Sequence, residues 1–203
     1  MAVAAHELER ALHSSAGAPV WQGDVKLIRQ EIDRCRRILD DLAGRSTEPS
    51  GEAPRAATLD DIAAATLAQL TPAERARVEV RSDAGASVRW PVGPVSQAVA
   101  NLVRNGLHAS GTAPVSLELH SAGAWSSVTV ADRGRGMAAD ELSRAGEPFF
   151  TTKGNQGMGL GLFVARTTVE QLGGSCTLTS TPGRGSVAEL RLPVDVLDAG
   201  RTT

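Results

Sequence analysis

Gly146-Glu-Pro-Phe-Phe-Thr-Thr-Lys-Gly-Asn-Gln-Gly-Met-Gly-Leu-Gly-Leu162 is the stretch on which the reading of the fold turns. Gly157, Gly159 and Gly161 alternate and run straight into Phe163–Leu172, a periodic apolar segment that reads as a helix stopped by Gly173-Gly174. Alternating glycines before a helix expose backbone N–H groups, and the helix dipole adds positive potential, so the pattern suits phosphate. Lys153 adds a positive charge. The spacing is neither the GxxxxGK[ST] loop nor the Rossmann GxGxxG. Of the 21 glycines, 11 lie between Gly134 and Gly185. Because glycine loses so much backbone entropy on folding, that density points to close backbone approach or a ligand.

Three other motifs lie around this stretch. The strand-like Ser127–Ala131 ends in Asp132-Arg-Gly134-Arg-Gly136, which puts a carboxylate at a strand end, able to accept from a base amino group, with glycines beside it that leave room for a flat ring. Residues 92–109 read as a helix with Val95, Ala98, Val99, Leu102 and Val103 on its buried face and Gln97, Asn101, Asn105 and His108 as a polar stripe opposite. Two amides one turn apart offer neutral oxygens suited to Mg²⁺, although for the stripe taken alone an ordinary solvated face is the favoured reading. Thr181-Pro-Gly-Arg-Gly-Ser186 makes a turn into a last strand. The helices expected over Leu59–Leu70, 92–109 and Phe163–Leu172 alternate with strands near Val78, Val88, Val115, Val128, Cys176 and Val187. That mixture predicts an α+β, two-layer α/β sandwich. Thr58 is the expected N-cap of the first helix, with Asp61 three residues on.

Taken in order, the Asn-bearing helix, DxGxG, FFTTK, GxGxGL and GxGS resemble the ATP-binding catalytic domain of sensor histidine kinases, the GHKL (Bergerat) fold shared with Hsp90, MutL and type II topoisomerase ATPases. The resemblance covers about residues 58–195, and the wording of its motifs is most like the RegB/PrrB redox-responsive group. It implies ATP and Mg²⁺ as cofactors. By that resemblance, Asn105 holds Mg²⁺ with Asn101 supporting it, and Asp132 reads adenine beside Gly134 and Gly136. Phe149, Phe150 and Lys153 belong to a lid, and Gly157, Gly159, Leu160, Gly161 and Leu162 form the phosphate loop. Ser186 contacts the adenine side. His108 stands where many such kinases carry a phosphate-contacting lysine, so its role is either phosphate contact or plain surface.

Upstream, Val25, Ile28, Ile32, Cys35, Leu39 and Leu42 form a narrow helical seam. With the shorter apolar pattern before Ser14–Pro19, this predicts a helical hairpin over 1–44 that dimerises into a four-helix bundle, followed by a linker at 45–57, the ATP domain at 58–195 and a tail at 196–203. The hairpin resembles part of a dimerisation and histidine-phosphotransfer domain. His6-Glu7-Leu8 looks like the start of a phosphoacceptor motif, yet the expected Thr-Pro continuation is missing. Either His6 is the acceptor, or the acceptor lies upstream of Met1, and the unequal hairpin arms favour the second. Cys35 is a seam residue, with a redox-sensitive thiol as the alternative that the RegB-like resemblance raises.

The 203 residues are 41% hydrophobic and 22% charged with net charge −2, which excludes a disordered tail and gives no basic surface for nucleic acid. No apolar run is long enough to span a bilayer. Cys35 and Cys176 form no CxxC pair, so the usage suits a reducing cytosol. The expectation is a cytoplasmic homodimeric kinase core, from a parent protein anchored in the bacterial inner membrane, whose partner is a response-regulator receiver domain. A nucleotide-binding regulatory module without autokinase activity, or a GHKL ATPase or serine kinase, is the alternative.

Overall fold

The computed structural model describes residues 52–151 and 159–196. Its first element is one that the sequence does not mark. β1 (Arg55–Thr58) pairs antiparallel with Ser87–Trp90, placing Ala56 opposite Arg89. Residues 55–57 thus leave the expected linker and join the domain, because Arg-Ala-Ala has no alternation of its own and takes its strand character from a distant partner. At the other end, the Arg89 N–H donates to Val194 O at 2.7 Å and the Val196 N–H to Arg89 O at 3.1 Å. The folded unit, which starts at Glu52, therefore runs past both expected limits, 58 and 195. The hairpin over 1–44 lies outside the described residues.

Thr58 caps α1 (Leu59–Ala68) as its spacing to Asp61 predicts. Thr58 N–H donates to Asp61 Oδ2 at 2.8 Å, and Asp61 N–H returns a bond to Thr58 Oγ1 at 3.1 Å. The backbone N–H of Thr58, then its hydroxyl, holds the Asp61 carboxyl below the usual carboxylate range. A second capping box, Thr71 with Glu74, starts the short α2 (Pro72–Arg75), with Pro72 in the first turn, where its missing N–H does no harm.

After β2 (Val78–Ser82) and β3 (Ser87–Trp90) comes α3 (Val92–Ala109), with the limits that its apolar periodicity predicts. β4 (Val115–Ala122) and β5 (Trp125–Ala131) form a hairpin, then α4 (Ala139–Arg144), α5 (Gly161–Gln171), β6 (Ser175–Thr181) and β7 (Gly185–Pro193) follow. β5 starts two residues ahead of the strand-like Ser127–Ala131, and along β4 Ser116, Glu118 and His120 face outward while Val115, Leu117 and Leu119 face in.

The large sheet has the order β2-β4-β5-β7-β6, parallel between β2 and β4 and antiparallel elsewhere. One face carries Val115, Leu117, Leu119, Val128, Val130, Leu190 and Leu192, all buried against α1, α3 and α5. This is the two-layer α/β sandwich that the element pattern predicts. Trp90 ties the small sheet to the large one: its ring is fully buried and its Nε1–H donates to Pro193 O at 2.7 Å, giving the indole the polar partner it needs. Among the described residues no helix is long and apolar enough to cross a membrane.

Candidate functional site

The amide stripe of α3 does not face open solvent. Asn101 is only 5% exposed, and Gln97 Nε2 donates to its Oδ1 at 3.3 Å. Its Nδ2 is buried and has no hydrogen-bond partner among the described residues. Asn105, half-buried, lies one turn on. What covers the stripe is the start of α5. A Cβ on Gly161 would stand 3.3 Å from Asn105 Nδ2, 3.8 Å from Asn105 Oδ1 and 3.7 Å from Asn101 Cβ. Glycine at 161 therefore lets an 11-residue helix begin directly on the two amides. That helix has no side-chain cap at its N-terminus, where backbone N–H groups and the positive end of the dipole sit. α5 starts two residues earlier than the apolar pattern suggests, because Gly161 and Leu162 already have helical backbone.

Gly159 and Leu160 shape the approach to this end. Gly159 has φ +68, and a Cβ there would strike the Phe150 carbonyl oxygen and come within 2.6 Å of the Phe149 carbonyl carbon. Leu160 is buried and Leu162 packs on the core edge. Phe149 also has a positive φ, +68, a rare backbone state for an aromatic residue, and is 50% exposed. The Phe150 ring lies beneath the Arg144 guanidinium, 4.2 Å from its centroid, while Arg144 Nε meets Glu147 Oε2 at 3.4 Å. Lys153 and Gly157 lie outside the described residues, as do His6 and Cys35.

Beyond the end of β5, Asp132 and Ser186 come together across the continuation of the β5–β7 ladder. Asp132 N–H donates to Ser186 O at 2.9 Å, and Asp132 Oδ1 accepts from Gly134 N–H at 2.8 Å. The glycines here serve chain packing. A Cβ on Gly134 would strike the Ala109 carbonyl oxygen, and one on Gly136, at φ +65, would strike that of Thr181. Gly185 makes the same close approach to the Asp132 carbonyl.

Two residues of this arrangement escape sequence reasoning. Gly106 lets α3 lie against Asp132, since a Cβ there would be 3.3 Å from the Asp132 Cβ. Ser180 joins the pieces: its Oγ accepts from Met137 N–H at 2.8 Å, donates to Gly185 O at 3.0 Å and lies 3.0 Å from Ser186 Oγ. Neither carries a local signal, although the polar stripe already singles out Gln97. His108 is exposed in the last turn of α3 and lies within electrostatic reach of Glu74. The Thr71 backbone N–H holds the Glu74 carboxyl below its usual range, with Arg104 and His108 adding to the effect. Cys176 is half-buried beside Arg166, and burial pushes its thiol up.

Along α3, the Asn101 and Asn105 side chains thus lie against the N-terminus of α5, and the Asp132 carboxylate lies beside Gly106. Among the described residues no group of three or more His, Cys, Asp or Glu side chains gathers to hold a metal. A hard cation would here rely on amide oxygen together with ligand phosphates and water.

Residues 92–196 match the family described as histidine kinase-, DNA gyrase B-, and HSP90-like ATPase. The chain is 29% identical over 208 residues to the sensor histidine kinase ZraS of Escherichia coli K12, covering 95% of this chain and 44% of ZraS. It is 26% identical to the sensor histidine kinase RegB of Cereibacter sphaeroides, covering 97% of this chain and 50% of RegB. It thus spans about half the length of such curated relatives or less. The solved catalytic domain of the histidine kinase ThkA, in a nucleotide-free form, superposes with a TM-score of 0.60 at 22% identity, covering 70% of this chain and 96% of that domain.

Proposed function

Because the chain belongs to the histidine kinase-, DNA gyrase B-, and HSP90-like ATPase family, we propose that it is the kinase core of a two-component sensor histidine kinase. In this reading it binds Mg²⁺-ATP, and the γ-phosphoryl passes to a histidine and onward to a response-regulator receiver domain. The observation that carries the reading is the seating of the first turn of α5, at Gly161, on the Asn105 amide and the Asn101 side chain, whose Nδ2 is buried and has no partner among the described residues. The α5 N-terminus beside these side chains offers backbone N–H groups and the positive end of the helix dipole to an oxygen-rich anion.

The residues fit the nucleotide. Asp132, held by Gly134 and backed by Ser186 and Ser180, presents a carboxylate for an adenine amino group. Gly159, Leu160, Gly161 and Leu162 bring backbone N–H groups to phosphates. Asn105 holds Mg²⁺ through its amide oxygen, with Asn101 as its support. When bound, the ion neutralises phosphate charge, which is most of what phosphoryl transfer requires, while these side chains orient the nucleotide. Lys153 and the Phe149–Phe150 segment complete the nucleotide's surroundings.

Three finer parts of the reading follow from the motifs. The core works as a homodimer through residues 1–44, the parent protein is anchored in the inner membrane with this portion in the cytoplasm, and the chain falls in the RegB-like redox-responsive group with Cys35 as its candidate thiol. Light scattering of the purified chain that shows only monomer at high concentration removes the dimer.

Incubation with γ-labelled ATP and Mg²⁺ tests the activity. Acid-labile label on the chain that is lost in His6→Ala identifies His6 as acceptor. Label appearing only on an added longer fragment with an intact first helix places the acceptor upstream. Nucleotide binding with no transfer to either favours the regulatory module. Asp132→Asn is expected to weaken ATP binding more than tenfold by calorimetry, about 1.4 kcal/mol or more, and unchanged affinity overturns the site.

A further inference from the structure

Gly93, Gln97, Asn101 and Asn105 follow one another at intervals of four along α3 and so form a single ridge of the helix. The ridge starts at a helix end that cannot cap itself. The N-cap is Pro91, which makes no side-chain cap bond, and Pro94 has no N–H to offer. The acceptor comes from far away in the chain: Glu52 Oε2 takes the Gly93 N–H at 2.8 Å. Its other oxygen lies 3.6 Å from Arg55 Nε at the start of β1. A Cβ on Gly93 would stand 2.5 Å from Glu52 Oε2, so alanine at 93 displaces the carboxylate from its present seat on the helix. A negative charge there also opposes the positive end of the helix dipole.

We propose that Glu52 is a positioning residue for the nucleotide site, acting through α3. Glu52 fixes the first turn at Gly93, that turn sets Gln97, and Gln97 Nε2 orients the Asn101 amide through its bond to Oδ1 at 3.3 Å. The geometry of the two amides facing α5 thus depends on a carboxylate that enters just ahead of β1. The affinity arm of the test rests on the nucleotide reading above, whereas the spectroscopic arm does not.

The test uses the full chain and four variants: Glu52→Ala, Glu52→Gln, Gly93→Ala and the Glu52→Ala/Gly93→Ala double variant. In the nucleotide-free protein, the side-chain amide resonances of Asn101 and Gln97 are expected to shift in Glu52→Ala and Gly93→Ala and to stay near wild type in Glu52→Gln, which keeps an acceptor. Calorimetry with Mg²⁺-ATP is expected to show about fivefold weaker binding for each alanine variant. The double variant should be no weaker than either single, since both remove one contact. Amide resonances unmoved in Glu52→Ala, or additive losses in the double variant, overturn the proposal. A wild-type chain that binds no nucleotide defeats the nucleotide reading instead, and the resonances still decide the role of Glu52.

Discussion

The Asp132 N–H donates to the Ser186 carbonyl at 2.9 Å, one residue beyond the last β5–β7 pair, Ala131 with Val187. That bond carries the ladder past the end of β5 and fixes where the Asp132 carboxylate leaves the sheet. Ser180, on the neighbouring strand, ties the same spot to Met137 and Gly185. The carboxylate is therefore placed by the loop after β5 and by the β6–β7 hairpin, 43 residues apart in sequence at Met137 and Ser180.

Ser180→Ala removes the acceptor of the Met137 N–H and the donor to Gly185 O. The expected loss is about 1–3 kcal/mol of stability in urea unfolding, with the m-value unchanged. Nucleotide affinity should fall as well, because the loop carrying Gly134 and Gly136 loses its tie. A variant as stable as wild type shows that the serine has no such role.

Gly161→Ala separates folding from binding. Alanine in place of glycine adds roughly 0.5–1 kcal/mol in the middle of a helix and less at a first residue such as Gly161. The new methyl would nevertheless stand 3.3 Å from Asn105 Nδ2 and press on the amide. The melting temperature should hold or rise while calorimetric affinity for Mg²⁺-ATP drops about tenfold. Equal affinity in the two proteins means that α5 does not seat on Asn105 as described.

Phe149 occupies a backbone state that disfavours a side chain by roughly 1–2 kcal/mol. Phe149→Gly should recover part of that as a higher unfolding midpoint, offset by glycine's greater freedom when unfolded. If the exposed ring serves the nucleotide site, affinity or turnover falls in the same variant. Stability gained with activity intact marks Phe149 as a strain without a use.

The capping box of α2 gives a pH signature. The Thr71 N–H holds the Glu74 carboxyl below its usual range, so the folded state favours the ionised form. That contribution is fully present above about pH 4.3, the unfolded-state value, and is lost as pH falls through the lower folded value. The stability difference between wild type and Glu74→Gln should accordingly be largest near neutrality and shrink below that window. Equal differences at pH 7 and pH 3, read from urea unfolding, argue against the linkage.

How far the sequence could be read depends on the range of each interaction. The limits of α3 and the Thr58–Asp61 cap follow from contacts three or four residues apart, and both match the structure. The Thr71-Pro72-Ala-Glu74 box is equally local and legible, but a four-residue helix has too few apolar positions to show a period. β1 and the roles of Gly106 and Ser180 depend on partners far along the chain. The same holds for Asn101: a polar stripe predicts a wet surface until a second helix is known to lie on it. The site motifs were legible as a sequence of glycines and amides. The reason for several of those glycines, room for another backbone, was not.

Arg89 has Ala56 on one side and Asp195 on the other, so the incoming and outgoing strands of the folded unit flank the same residue. At the usual spacing between strands, the two lie about 10 Å apart. Residues 56 and 195 thus lie only two strand spacings apart, on either side of one strand. The unit can therefore be circularly permuted with a short new connection, without any strand of the large sheet having to be rerouted.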